Sequence, residues 1–115
     1  MVRQKIRNEE EWGLVHIEER IRFDETAPVR ETIAQEGALR VVLFCLAAGQ
    51  EISRHTAAAT VLMQVVTGEG VLVSGDERHD ASTGDLLAVP PLVPHAMKAG
   101  SGPFAVLATI VSTAG

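Results

Sequence analysis

The 115-residue chain is short of everything that would staple it, thread it through a bilayer or seat it on a nucleic acid. It has one cysteine, Cys45, so an intramolecular disulfide is excluded and a reducing cytoplasm is the expected compartment. Tyrosine is absent. Trp12, Phe23, Phe44 and Phe104 are the only residues that could stack on a base, and they are scattered. Ten Lys and Arg stand against fifteen Asp and Glu, a formal net charge of −5, and no basic stripe runs along the chain; nucleic acid is not an expected partner. No apolar run approaches the roughly 18 residues of a membrane span. The opening MVRQKIRNEEEWG is too charged for the apolar region of a signal peptide. A soluble, cytoplasmic protein with no membrane partner is the expectation.

What is present is a hydrophobic fraction of 46% in a length that fits one domain. A chain of this size buries roughly two-thirds of its unfolded surface, enough for a core without staples. Residues 1–12 are polar and charged and read as an N-terminal arm, leaving 13–115 as the domain. Residues 13–23, GLVHIEERIRF, alternate partially with neither face cleanly apolar; a strand there would be an edge or would pair with a second subunit, which predicts a homodimer. VRETIAQE (29–36) suits two helical turns or a strand, and strand or irregular structure is the preferred reading.

From Leu39 the pattern is β throughout. Strands are expected over 39–46, 51–55, 60–66, 71–74, 78–82, 86–89 and 104–111. A tight turn at TGEG (67–70) and a hairpin turn at AGSGP (99–103) would separate neighbours. Strands of four to eight residues at short intervals mean an antiparallel sandwich or barrel. The chain turns on GDLLAVPPLVPH (84–95), where Pro90, Pro91 and Pro94 stop any helix and refuse ladder hydrogen bonds. A rigid corner there aims His95.

Two glycine–histidine spacings bracket this region. Gly49 is followed after five residues by His55, and after twelve more by Gly68. Gly84 is followed after five residues by Pro90, and after four more by His95. This resembles the cupin family, whose motifs are G(X)5HXH(X)3–4E(X)6G and G(X)5PXG(X)2H(X)3N. The resemblance implies an all-β, antiparallel jelly roll (double-stranded β-helix) barrel, RmlC-like. It makes His55 and His95 candidate ligands for a divalent transition metal: Zn, Fe, Mn or Ni. The departures are as informative. The second motif-one histidine is Ala57, the glutamate falls at Thr60 or Val61, the motif-two glycine is Leu92 and the asparagine is Ala99.

Two imidazoles hold a catalytic metal weakly, because such sites normally draw three protein ligands. If Thr60 takes the inward position, alternation brings Leu62 and Gln64 inward as well, and His95 inward brings Met97. The expected ligand pocket is therefore His55, Thr60, Gln64, His95 and Met97. Three functions compete. One is a small-molecule-binding cupin with a degenerate metal site, and another is a metal-dependent dioxygenase or isomerase using His55 and His95. The third is an interaction module whose histidines fill a core. His79, in a polar hairpin, reads as a surface residue, His16 as surface or interface, and Cys45 as a small core hydrophobe.

Overall fold

Two long strands run through the whole domain, and everything else pairs with them. The computed structural model describes residues 13–113, so the arm expected over 1–12 lies outside the described residues. In chain order the strands are β1 (Val29–Glu36), β2 (Leu39–Leu46), β3 (Glu51–His55), β4 (Ala59–Ser74), β5 (Glu77–Ser82), β6 (Leu86–Val89) and β7 (His95–Ser112). Every pairing is antiparallel. Strands β4 and β7 pair twice, Ala59–Gly68 with Phe104–Ser112 and Gly70–Ser74 with His95–Ala99. The two halves enter different walls. One wall is β1, β2, the second half of β7, the first half of β4, and β6. The other is β3, the first half of β7, the second half of β4, and β5. This is the expected jelly roll. Among the described residues no helix is long and apolar enough to cross a membrane.

Two expected turns are not turns. The stretches 60–66 and 71–74 are one bent strand, and so are the pieces expected on either side of 99–103. Glycines there serve close approach. A Cβ on Gly68 would sit 2.0 Å from the Pro103 carbonyl oxygen, and one on Gly70 would sit 2.3 Å from that of Lys98. Bare backbone lets β4 and β7 bend together, with ladder shifts at Val65/Thr67 and Gly68/Gly70.

Residues 13–23 also differ from expectation. They form no strand. The segment carries a single 3-10 turn, Ile17–Arg20, and lies on the outside of the first wall. There Val15, Ile17 and Ile21 pack on Ile33, Leu43, Cys45 and Ala105. Arg20 is ion-paired with Glu31 of β1. The half-apolar pattern is thus a covering strap rather than an open edge. The main core lies between the walls, around Leu46, Met63, Val65, Leu72, Val89 and Phe104.

Candidate functional site

His55 ends β3 and His95 begins β7, and the two are register partners. Their rings meet edge-on, centroids 4.3 Å apart and planes at 60°. Sequence positions forty apart therefore converge, as the motif spacing required. The proline corner does this for His95. The Gly75 amide donates to the Pro94 carbonyl (2.7 Å) and the Leu92 amide to the Ala57 carbonyl (2.9 Å), tying the corner to both neighbouring loops. Leu92 stands where the motif has glycine and has φ +68°, the single left-handed non-glycine among the described residues.

Each imidazole is held by its own backbone. Nδ1 of His55 lies 2.8 Å from the Ser53 carbonyl, and Nδ1 of His95 lies 3.1 Å from that of Val93. A carbonyl oxygen only accepts, so both Nδ1 atoms carry the proton and both Nε2 atoms of the neutral rings are lone-pair acceptors. The His95 side is buried and the His55 side is exposed. Burial pulls the pKa of His95 below the ordinary histidine value, with His55 adding to the shift and the bond to Val93 opposing it.

The pair opens into a cavity of about 490 Å³, in the range of small-molecule sites. Phe44, Val61, Met63, Met97, Ala108 and Ile110 give it apolar walls. Met97 is where it was expected. Thr60 and Gln64 are not: Val61, Met63 and Val65 are buried on the inner face, while Thr60 is half-buried, Gln64 is exposed, and neither lines the cavity. A one-residue offset on a strand reverses every side chain. In TVLMQVV the face of Val61, Met63 and Val65 is wholly apolar while Thr60 and Gln64 break the other, so alternation already favours the observed side. The motif agrees: six residues separate its glutamate from its last glycine, and counting back from Gly68 lands on Val61, not Thr60.

Sequence reasoning missed the arginines. Arg30 of β1, Arg40 of β2 and Arg54 of β3 all line the cavity. The available signal was alternation in β2, where Arg40 shares a face with Phe44 and Leu46. A second, larger hollow of about 740 Å³ lies at the glycine bend of β4 and β7. Among the described residues no histidine or arginine lines it.

The donor set does not fit a resident catalytic metal. Ala57 and Val61, at the other two ligand positions, line the same cavity without a donor atom. Among the described residues no group of three or more His, Cys, Asp or Glu side chains could hold an ion.

A family model for the AraC-like ligand binding domain matches residues 41–111, more than half of the chain. The chain belongs to this family. An RmlC-like cupin from Desulfovibrio desulfuricans is 32% identical, with 79% of this cupin and 88% of that chain covered and a TM-score of 0.72. A cupin superfamily protein from Desulfitobacterium hafniense, 23% identical, covers 97% of this chain and 98% of its own at a TM-score of 0.80. A protein with a double-stranded β-helix domain from Klebsiella pneumoniae is also 23% identical, covering 91% and 95% at a TM-score of 0.80. No curated protein matches the sequence. The matched span of this cupin runs from β2 to β7 and includes both histidines.

Proposed function

We propose that this cupin binds a small organic molecule in the barrel without transforming it. One observation carries the reading: the cavity between His55 and His95 keeps the volume and the apolar walls of a ligand site, while Ala57 and Val61 have replaced the side chains that would complete a metal centre. The imidazoles then act as oriented acceptors, each fixed by its Nδ1–carbonyl bond, for an O–H or N–H of the ligand. Among the described residues no carboxylate lines the cavity to serve as general base, and none partners either imidazole to orient it for proton transfer. The match to a ligand-binding family agrees with this.

The test is retention. The protein is equilibrated with a metabolite extract, separated by gel filtration and analysed by mass spectrometry. The expected result is one small molecule per chain, lost in Ala57→Trp, which fills the cavity from its edge. Wild-type protein that retains nothing overturns the reading.

The alternative, a metal-dependent dioxygenase or isomerase using His55 and His95, is favoured only by the two Nε2 lone pairs. It needs further ligand atoms from outside the chain. Elemental analysis of untagged protein near one Zn, Fe, Mn or Ni per chain, with loss on His55→Ala, would favour it.

A further inference from the structure

We propose that the ligand of this cavity is a small organic acid, its anionic head on Arg30 and Arg40 and its apolar body against the methionine wall; the proposal rests on the binding function above.

The chain carries five more acidic than basic residues, yet three arginines line this one cavity and, among the described residues, no Asp or Glu does. Ion pairing in the described residues happens elsewhere, at Arg20–Glu31 and His79–Glu77. The three arginines differ in what holds them. Arg54 donates Nη1 to the Gly75 carbonyl at 2.6 Å and is committed to the scaffold. Arg30 lies over the Phe44 ring, 5.7 Å from its centroid, a contact that fixes the guanidinium plane and uses none of its N–H groups. Arg40, on the next strand, has no carboxylate within ion-pair reach among the described residues. Two forks are thus left with unclaimed donors at the edge of an apolar hollow.

Charge and hydrogen-bond polarity decide which end takes the acid. The neutral imidazoles offer a carboxylate only acceptor lone pairs, so the pair suits an O–H or N–H better than an anion. At Arg30 or Arg40 it meets a planar N–H fork whose spacing matches its two oxygens. The low-dielectric wall strengthens that attraction over its value in open water. A positive mouth on a negative protein also draws anions toward it selectively. Between the arginines and the imidazole pair the body of the ligand must be apolar, because Val61, Met63, Met97 and Ala108 offer it no polar partner.

The two cavity methionines provide the readout. Protein labelled with [methyl-13C]methionine is titrated with octanoate and, separately, with octanamide, which has the same chain and no charge; the methyl signals of Met63 and Met97 are assigned by substitution. Octanoate is expected to shift both signals saturably, with a Kd roughly tenfold or more below that of octanamide, since hydrogen bonds to a charged group are worth about twice neutral ones. The preference should shrink as salt is raised. Arg30→Gln combined with Arg40→Gln changes two exposed side chains, leaves the fold intact and should bring octanoate down to the octanamide value. Octanamide binding as tightly as octanoate overturns the acid assignment and leaves ligand binding standing. Neither compound moving either signal overturns the acid assignment, and the retention experiment above then decides ligand binding on its own.

Discussion

The first wall of the barrel has two faces, and the same strands build them to opposite ends. On the outside, β2 presents Leu43 and Cys45, β7 presents Ala105, and the strap from residue 13 to 23 covers them with Val15, Ile17 and Ile21. Leu43 and Ala105 are wholly buried. On the inside, β2 presents Phe44 and Arg40, β7 presents Ala108 and Ile110, and they border a hollow instead of a neighbour. Close packing is the rule for interiors, and a core leaves large voids only where something else fills them. The outer face is therefore a place that stabilises, and the inner face is a place that stays available.

Truncation exposes the contrast most strongly. Leu43→Ala should cost about 3–4 kcal/mol, because a filled core relaxes only partly around the gap. Met97→Ala should cost about half of that, since the methionine already borders open space on one side. Urea unfolding measures both, and equal losses would mean that the hollow is not structurally distinct. Enlargement runs the other way. Ala105→Val on the outer face should destabilise by about 2 kcal/mol, whereas Ala108→Val can extend into the cavity at under about 1 kcal/mol.

The inner side also stores strain. Leu92 takes a left-handed backbone in the corner that ties to Ala57 at the cavity edge. A non-glycine residue there costs about 1–2 kcal/mol, partly offset by the greater freedom glycine has when unfolded. Leu92→Gly should therefore raise stability by about 1 kcal/mol. Its Leu side chain is 69% exposed, so little packing is lost. No gain would show that the corner relaxes elsewhere.

The outer face and the site were unequally legible. The jelly roll could be read from strand lengths and from the two glycine–histidine spacings, because both reflect backbone geometry that leaves residue-level marks. The convergence of His55 and His95 followed from the same marks. Strand continuity through Gly68 and Gly70 could not be read, since a glycine that admits a crossing backbone looks like a glycine that turns. The inward side of β4 was legible in part: Val61, Met63 and Val65 make one wholly apolar face, while Thr60 and Gln64 put polar atoms on the other. Alternation along β2 puts Arg40 on the face of Phe44, but Arg30 carries no such signal, and only the pairing of β1 with β2, which sets Arg30 opposite Phe44, brings it to the same wall. The strap failed as a strand for a related reason: Val15, Ile17 and Ile21 suit one face of several conformations, and the sheet beneath them decides.

Proton binding distinguishes the two faces at opposite ends of the pH scale. On the inner side, burial lowers the pKa of His95 below 6.5 in the folded protein. The unfolded chain then binds more protons, so the contribution of His95 is complete above about pH 6.5 and is lost as the pH falls through the folded value. On the outer side, burial pushes the Cys45 thiol above 9.0, with the Glu31 carboxylate adding to the shift and a backbone hydrogen bond at Arg22 opposing it. Here the neutral form is favoured by folding, so the contribution is complete below about pH 9 and declines as the pH rises toward the folded value. Urea midpoints of wild type, His95→Gln and Cys45→Ala across pH 5 to 10 separate the two. The gap between wild type and His95→Gln should narrow only on the acid side, and the gap to Cys45→Ala only on the alkaline side. A native Cys45 that reacts with a disulfide reagent at pH 8 before unfolding would show that the strap does not seal its face, and the contrast between a filled and an open side would fail there first.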